Sequence, residues 1–380
     1  MPVTAPSIRS VALCIDTRDG AARHRLTGVM QVVHSLGWRI MMVRQTGEAA
    51  ANEVLRLSPD GIIAYVAEAP LVRAAESLGI PLVDTAVGDV AVPMSVSLDN
   101  DALSRLALEH FRQAGLSHFG YCGVVGRVTS ELRERCFKAG LGDPSMPAFS
   151  EPAAEGGSGL EALTKLLLGL PKPIGLLVFD DKLGERVLSA CRWAGIKVPD
   201  EVAVIGIGND ELMCDLSSPS LSSCSIPIGR FGVEAAKMLA QAMAGGPVAQ
   251  PHMQLQPNGV VARGSTDLVV TDDELVRAAV RHIRRCASGA IGVKEVAAAL
   301  NVSRRTLDRR FSSALGRTVS DELLRVRMQL ARSLLENGDL QVTEVAAACG
   351  YGSASSFSRA FRRSSGRWPS DYRTQIRSGR

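Results

Sequence analysis

Two segments decide the fold of the C-terminal third of the chain: VKEVAAALNVSRRTLDRRFSSALGRTVSD at residues 293–321 and VTEVAAACGYGSASSFSRAFRRSSGRWPSD at residues 342–371. They align with an offset of 49 residues that becomes 50 after one inserted residue, so that Glu295 matches Glu344. Each copy has the pattern of a short helix, a tight turn and a second helix. The repeat therefore predicts two helix-turn-helix motifs in an all-α domain.

The second helix of each copy has a stripe of apolar residues and a polar face. Leu307 and Phe311 in the first copy, and Phe357 and Phe361 in the second, recur at i and i+4 and predict the buried side. Arginine and serine on the other face can contact phosphates and the edges of bases in the major groove of DNA. The predicted DNA-binding residues are Ser303, Arg304, Arg305, Thr306 and Arg309 in the first copy and Ser353, Ser355, Ser356, Arg359 and Arg362 in the second.

The residues between the two copies predict a linking helix. The segment 320–335, SDELLRVRMQLARSLL, places Leu323, Val326, Leu330 and Leu334 on one side of a helix. If this helix holds the two recognition helices roughly 34 Å apart, they can enter two successive major grooves on one face of the DNA. A helical bundle with solvated arginines is the alternative, but it leaves the repeat unexplained.

The charge of the chain is unevenly distributed. The 380 residues have a formal net charge of +4, but residues 1–271 hold 23 basic and 28 acidic residues, or −5, and residues 272–380 hold 20 basic and 11 acidic residues, or +9. A basic module joined to a mildly acidic one indicates an anionic partner for the basic part, such as nucleic acid.

The composition excludes a disordered chain and a membrane-embedded one. It is 46% hydrophobic and 22% charged, and no apolar run approaches the length that spans a bilayer. The eight cysteines are scattered without a CxxC pair, which favours reduced, buried thiols. The N-terminal segment MPVTAPSIRS lacks the basic and apolar regions of a signal peptide. We expect a cytoplasmic protein without a membrane partner.

The first two thirds of the chain alternate short apolar runs with stretches of helical periodicity. Runs that are apolar on both faces predict parallel strands covered by helices on both sides. These runs lie at residues 11–15, 40–43, 62–66, 81–83, 119–122, 176–179 and 202–207. We predict doubly wound parallel α/β sheets. Two sheets are favoured over one because a stretch rich in Gly and Pro, from Gly140 to Gly159, would interrupt a single winding.

Polar residues follow several of the predicted strands. Ligands of open parallel sheets bind outside the carboxyl ends of the strands, and carboxylates and amides suit the hydroxyl groups of a sugar. The candidates are Asp16, Tyr65, Asp84, Asp99, Cys122, Asp180 and the turn Gly208-Asn209-Asp210. For each Asp or Asn, capping of the next helix is an equally good interpretation.

Signatures of an enzyme are weak. The segment 206–208, GIG, lacks the third glycine of a dinucleotide fingerprint, and the sequence contains no P-loop, HExxH or G-x-S-x-G motif. The six histidines show no metal-ligand spacing, and His110, on an apolar helix face, is interpreted as a core residue. We expect no catalytic residue, no metal and no cofactor. A sugar-modifying enzyme with an accessory DNA-binding tail is the alternative, and it predicts turnover of the ligand.

The tail resembles the AraC/XylS-type transcription regulators. The motifs that carry this resemblance are CGY at 349–351, FSRAFRR at 357–363 and GRWPSDYR at 366–373. The front resembles LacI-type and periplasmic sugar-binding domains in VIGIGNDEL at 204–212 and LSS at 221–223. The combination is similar to the family of xylose operon regulators, over nearly the whole chain.

This resemblance implies two α/β lobes around a cleft, dimerisation through the sensor, and an effector that repositions the tails on DNA. It also implies that Arg23, Arg133 and Asp180 contact the effector. The strand-end Asp with which the family binds sugar hydroxyls is replaced here by Gly208, so Asn209 or Asp210 would substitute for it.

We therefore predict a two-lobed, periplasmic-binding-protein-like α/β sensor at residues 1–265, a linker at 266–274 and an all-α DNA-binding domain at 275–380. The predicted ligand-binding residues are Asp16, Arg23, Tyr65, Arg133, Asp180, Asn209 and Asp210. The expected function is transcription regulation, as an activator, of a carbohydrate-utilisation operon. The expected partners are operator DNA, a sugar effector (xylose or another monosaccharide), RNA polymerase and a second copy of the chain.

Overall fold

The computed structural model describes most of the chain. The described residues are 9–15, 20–86, 90–151, 159–268, 271, 273–286, 288–289, 291–337 and 340–378.

Strands and helices alternate through the first two thirds, and helices make up the last third. The strands are β1 (Ser10–Cys14), β2 (Arg39–Val43), β3 (Gly61–Ala64), β4 (Leu82–Asp84), β5 (Met94–Leu98), β6 (His118–Val124), β7 (Ala148–Glu151), β8 (Ile174–Val178), β9 (Val202–Gly208), β10 (Ser222–Ser225), β11 (His252–Leu255) and β12 (Gly259–Val261). The helices are α1 (Gly20–Leu36), α2 (Gly47–Leu57), α3 (Ala69–Leu78), α4 (Asn100–Gln113), α5 (Val128–Leu141), α6 (Gly159–Gly169), α7 (Asp181–Trp193), α8 (Glu211–Leu216), α9 (Ile228–Met243), α10 (Glu274–Cys286), α11 (Val293–Ala299), α12 (Arg304–Leu315), α13 (Val319–Asn337), α14 (Val342–Ala348), α15 (Ala354–Ser365) and α16 (Pro369–Ser378). A short 3-10 helix, Gly264–Thr266, follows β12.

Among the described residues, the strands form two six-stranded sheets. The first has the order β11-β5-β4-β3-β1-β2 and is parallel throughout. The second has the order β12-β10-β9-β8-β6-β7 and is parallel except for β12. We call the first sheet with its helices lobe 1, and the second sheet with its helices lobe 2. The predicted fold class, two doubly wound α/β sheets followed by a helical domain, is confirmed.

The chain crosses between the lobes at places that the sequence did not indicate. Helix α4, which follows β5, packs on β10 and β12 of lobe 2, and α9, which follows β10, packs on β3, β4 and β5 of lobe 1. The stretch from Gly140 to Gly159 does not separate the sheets, because β7 lies within it and pairs with β6. Two sheets are present, as predicted, but the reason for expecting them was wrong: residues 142–147 lead from α5 into β7, which joins the same sheet as β6.

Five short strands escaped detection as apolar runs, namely β5, β7, β10, β11 and β12. In β10 the sequence is polar, yet Ser222, Ser223 and Cys224 are fully buried. The hydroxyl of Ser222 lies 2.7 Å from the Thr266 hydroxyl and accepts a hydrogen bond from the backbone N–H of Arg263. Partners more than 40 residues away satisfy these polar groups, so hydropathy alone cannot reveal the strand.

Helices α1 and α9 cross with their backbones in contact. A Cβ atom on Gly28 would overlap the carbonyl oxygen of Gly229, and one on Gly232 would overlap the carbonyl oxygen of Arg25. This close approach attaches α9 to lobe 1 at the point where the chain returns from lobe 2.

The helical domain has two apolar cores joined by α13. The first core, around Phe311, collects α10, α11, α12 and the start of α13, including Val319. The second core, around Phe357 and Phe361, collects the end of α13 and helices α14 and α15. The predicted linking helix is confirmed, and it takes part in both cores. No described helix is long and apolar enough to cross a membrane.

A cluster of charges lies where the α/β part of the chain meets the helical domain. The fully buried Glu322 of α13 accepts hydrogen bonds from Arg317 at 2.8 Å and from Arg325 at 2.5 Å. Arg284 of α10 lies 3.7 Å from Glu322 and also pairs with Asp267, which follows the 3-10 helix. Arg284 thus connects the end of the α/β part with the linking helix.

His110 of α4 lies beside this cluster. Its Nε2 is 2.8 Å from the hydroxyl of Thr266. Burial, together with the charges of Arg325 and Arg284, lowers the pKa of His110 to about 4. The interpretation of His110 as a packed, hydrogen-bonded residue agrees with this position.

Candidate functional site

The first helix-turn-helix motif consists of α11 and α12. The Ser303 hydroxyl begins α12 by accepting a hydrogen bond from the backbone N–H of Thr306 at 3.1 Å, and the two hydroxyls lie 2.8 Å apart. Leu307 and Phe311 are fully buried, as their spacing predicts. The opposite face is exposed and holds Arg304, Arg305, Arg309 and Ser312.

The second motif, α14 and α15, repeats this construction. The Ser353 hydroxyl caps α15 by accepting from the N–H of Ser356 at 3.3 Å, and the two hydroxyls lie 2.6 Å apart. Phe357 is fully buried, and the opposite face exposes Ser355 and Arg359. The hydroxyls of Ser353 and Ser356 form hydrogen bonds at the start of α15. They therefore stabilise the N-terminus of this helix in addition to any contact with DNA.

The first helices of the two motifs also begin alike. The Glu295 carboxylate accepts a hydrogen bond from the N–H of Gly292 at 2.8 Å, and the Glu344 carboxylate accepts one from the N–H of Gln341 at 2.6 Å. A glutamate that reaches back to the residue before the helix satisfies a backbone donor that the helix itself leaves open. The repeat seen in the sequence is therefore a repeat of the same local hydrogen bonds.

The arginines of the two recognition helices differ in their surroundings. Arg304 pairs with Asp308 at 3.4 Å within its own helix. The guanidinium of Arg362 lies 4.6 Å from the centre of the Trp368 ring. Arg309 and Arg359 occupy equivalent positions in the two copies and are both exposed. The repeat thus places an exposed arginine at the same point of each second helix.

We call the edge of a lobe at the carboxyl ends of its strands its rim. The rim of lobe 2 holds two residues that the sequence singled out, Arg133 and Asp180. Arg133 of α5 donates to the carbonyl oxygen of Phe179 at 2.6 Å and to the Asn100 side chain at 3.4 Å. Asp180 follows Phe179 directly, and its Oδ1 accepts from the N–H of Leu183 at 2.7 Å. Asp180 is thus a helix cap at the end of β8, and it lies on the same rim as Arg133.

The turn after β9 forms the next part of this rim. Gly208 has φ +131° and Asn209 has φ +58°, both in the left-handed half of backbone space. The Asn209 side-chain oxygen accepts from Arg263 at 2.9 Å. The Asp210 Oδ1 caps α8 by accepting from the N–H of Met213 at 3.2 Å. Capping, the alternative role for these acidic residues, is confirmed for Asp210 and leaves its second oxygen for other contacts.

At the rim of lobe 1, a buried arginine packs against two aromatic rings. The Arg25 guanidinium lies 4.6 Å from the Tyr65 ring centre and 5.0 Å from the Phe231 ring centre. Asp84 is buried nearby at the end of β4. Burial raises the pKa of Asp84 to about 7, although hydrogen bonds from backbone N–H groups such as that of Ala86 and the charge of Arg25 act in the opposite direction.

Arg25 was not predicted from the sequence, which pointed to Arg23. Arg23 is exposed on α1, whereas Arg25 is 7% exposed. Ala22 and Val29 are buried on the same helix at spacings of three and four residues from Arg25. Attention to that stripe would have placed Arg25 on the packed face of α1.

The two rims approach each other at the start of α1. The point that a Cβ atom on Gly20 would occupy lies 3.3 Å from Asp210 Oδ2 and 3.7 Å from Arg23 Nη2. Asp210 of lobe 2 and Arg23 of lobe 1 thus lie close together beside Gly20. Asp16 lies outside the described residues.

Within the described part of the chain, no group of three or more His, Cys, Asp or Glu side chains is arranged to hold a metal ion. The cysteines are free thiols. Burial raises the pKa of Cys14, Cys191 and Cys224 to about 12, so these thiols stay protonated at neutral pH.

Two family models match the chain. A periplasmic binding protein-like domain matches residues 108–266, and a helix-turn-helix domain matches residues 296–375. The xylose operon regulatory protein of Haemophilus influenzae is 30% identical over 85% of this chain and 87% of its own length. The protein of the same name from Escherichia coli K12 is 27% identical over 92% of this chain and 97% of its own length.

The chain is also similar to transcription regulators of known structure. The xylose-binding transcription activator XylR is similar over 98% of this chain and 99% of its own, with a TM-score of 0.60 and 25% sequence identity. The transcriptional regulator CelR in complex with cellobiose covers 69% of this chain and 86% of its own, with a TM-score of 0.58 and 20% identity, which shows a shared fold.

Proposed function

The chain belongs to the family of the xylose operon regulatory proteins and is a sugar-responsive, DNA-binding transcription regulator, and we propose that its effector is a monosaccharide bound between the two lobes. D-Xylose is the first candidate, because two relatives are named for the xylose operon. The observation that carries the proposed site is the meeting of the two polar rims, where Asp210 of lobe 2 lies beside Gly20 at the start of α1.

The rims supply the groups that a sugar requires. Carboxylates accept hydrogen bonds from hydroxyls, guanidinium groups donate to them, and an aromatic ring can pack on the apolar face of a pyranose. The proposed effector contacts are Arg133, Asp180, Asn209 and Asp210 from lobe 2 and Arg23 and Tyr65 from lobe 1, and Asp16 is added because it follows β1 in the sequence. A ligand that touches both rims favours the closed cleft, and that difference in affinity is what shifts the equilibrium between states of the sensor.

On DNA, the recognition helices α12 and α15 enter neighbouring major grooves. We propose Arg309 and Arg359 as the central contacts, because they are equivalent in the repeat and exposed. The flanking contacts are Ser303, Arg304, Arg305 and Thr306 in the first motif and Ser353, Ser355, Ser356 and Arg362 in the second.

Further proposals concern assembly and location. A homodimer would bring two pairs of motifs to two half-sites, and activation would require contact with RNA polymerase at the promoter. The protein would act in the cytoplasm, where operator DNA is found. The division into residues 1–265, 266–274 and 275–380 is proposed with its junction inside 266–274, because Thr266 still packs on the sensor and α10 begins at Glu274.

The relatives are transcription regulators by name, so the chain is a regulator and not an enzyme. A sugar panel tests the proposed effector. Purified protein would be titrated calorimetrically with D-xylose, L-arabinose, D-glucose and D-gluconate, and each mixture would then be analysed for product. We expect saturable binding of a pentose and an unchanged sugar. Absence of binding across the panel would contradict the proposed effector class, and conversion of any sugar would contradict the role as a sensor.

A further inference from the structure

Asp181, the first residue of α7, is almost fully buried behind the turn after β9. The Ser223 hydroxyl donates to its Oδ1 at 2.5 Å, and the backbone N–H of Asp210 donates to its Oδ2 at 2.7 Å. The same Ser223 oxygen accepts from the backbone N–H of Asn209 at 3.0 Å. Both N–H groups of the turn are therefore held by Asp181, one directly and one through Ser223.

The carboxylate of Asp181 also fills the space beside the two glycines of β9. A Cβ atom on Gly206 would overlap Asp181 Oδ1, and one on Gly208 would lie 3.0 Å from Oδ2. The φ of +131° at Gly208 disfavours a side chain independently of this contact. The two glycines thus leave space beside the end of β9, and the Asp181 carboxylate from α7 fills that space.

We infer that Asp181 is a positioning residue for the effector: its carboxylate, and not a side chain at position 208, fixes the turn so that Asn209 and Asp210 face the sugar hydroxyls. The inference rests on the proposed function and concerns how the same site is built. The replacement of an acidic residue by Gly208 consequently does not enlarge the cleft, because the space beside Gly208 is filled from within lobe 2.

The charged and titratable groups around Asp181 come from four elements. Asp180 precedes it, Asp210 and Cys214 face it from the turn and from α8, and Cys224 faces it from β10. Arg263 reaches the same turn through its hydrogen bond to Asn209. Burial raises the pKa of Asp181 to about 6, and the charges of Asp180 and Asp210 act in the same direction, although the bonds from Ser223 and Asp210 oppose the rise.

The substitution Asp181→Asn tests the inference. An amide can still accept from Ser223, but its NH₂ group cannot accept from the N–H of Asp210. Without any sugar, hydrogen exchange of the Asp210 amide is expected to accelerate about tenfold, the effect of one lost hydrogen bond. Ser223→Ala should release the Asn209 amide and leave the Asp210 amide protected, which keeps the test decisive if D181N folds poorly. Asp200→Asn, at an exposed position of the same lobe, is the matched control.

The functional readout is the affinity for D-xylose, measured by calorimetry between pH 5 and pH 8. For the wild type, affinity should fall as the pH drops below about 6, because protonation removes an acceptor of Asp181. D181N should bind about tenfold more weakly at pH 7, lose that pH dependence and keep its DNA affinity. An unchanged exchange rate of the Asp210 amide, or equal sugar affinity in D181N and wild type, would overturn the inference. If the wild type binds no sugar, the proposed effector fails instead, and the exchange data still decide whether Asp181 holds the turn.

Discussion

Gly28 of α1 lies directly against the backbone of Gly229 in α9, with no room for a Cβ atom between them. The two residues are about 200 positions apart in the sequence, and the chain visits lobe 2 between them. Their contact holds α9, the last helix of lobe 1, against α1. It is therefore a contact on which the packing of lobe 1 depends.

The substitution Gly28→Ala should destabilise the sensor strongly, because its Cβ would overlap a carbonyl oxygen that belongs to the backbone and cannot rotate away. Overpacking of this kind costs about 1–3 kcal/mol and sometimes more. Gly229→Ala is the matched control, since a Cβ there meets no described atom within 4 Å. Urea unfolding of both variants measures the difference, and equal stabilities would show that the helices can separate without cost.

The exposed arginines of the repeat should contribute to DNA affinity. Arg359→Ala and Arg309→Ala should each weaken specific binding by about 1–3 kcal/mol if the side chain pairs with a guanine. The control is Arg192→Ala, an exposed arginine at the end of α7 in the sensor. Fluorescence anisotropy with operator DNA measures the three affinities. Unchanged binding by both recognition-helix variants would contradict the assignment of this face.

DNA affinity should fall steeply with salt, because the +9 charge of residues 272–380 displaces counterions from the phosphates. Proteins that contact several phosphates lose about 10³-fold or more between roughly 50 and 200 mM salt. The slope of log affinity against log salt concentration is the quantity to measure. A slope near zero would mean that phosphate contacts do not drive binding.

The buried carboxylate of Glu322 should stabilise the junction of sensor and helical domain. Burial on its own would raise the pKa of Glu322, but the hydrogen bonds and charge of Arg325, with the charges of Arg284 and Arg317, hold it below the usual value. A carboxyl whose pKa is lower in the folded state contributes stability above its unfolded pKa of about 4.5, and that contribution disappears as the pH falls through the folded pKa.

Glu322→Gln should therefore cost about 3–5 kcal/mol at pH 7, because three arginines lose their buried partner. Its loss of stability between pH 5 and pH 3 should also be smaller than that of the wild type. Denaturant unfolding across this range gives both numbers, and Glu76→Gln, at an exposed position of α3, serves as the control. A variant as stable as the wild type at pH 7 would refute a structural role for this ion cluster.

The rim residues of lobe 2 should govern the response to effector. Arg133→Ala and Asp180→Ala should abolish the change in DNA binding on addition of sugar, while the affinity of the sugar-free protein for DNA stays the same. Arg133 also holds the carbonyl of Phe179, so a melting curve for R133A must accompany the binding data. A wild-type response in both variants would contradict their assignment to the cleft.

The repeat, the basic tail and the α/β pattern were readable from the sequence because they depend on local properties. Periodicity over ten or so residues decides which face of a helix is buried, and the matching of Leu307 and Phe311 with Phe357 and Phe361 made the two motifs evident. Strand ends marked Asp180 and the turn at 208–210 for the same reason, since polar residues after an apolar run can be recognised without knowledge of their neighbours.

The tertiary structure decided which lobe each strand joins, and it alone revealed Arg25 beneath Tyr65 and Asp181 behind Gly208. These features depend on contacts between residues far apart in the chain. Asp181 and Ser223 are 42 positions apart, and no local pattern in the sequence indicates that they pair. Local chemistry therefore determined the elements and their exposed faces, whereas long-range packing determined which polar groups are buried, how they are paired and how the cleft is shaped.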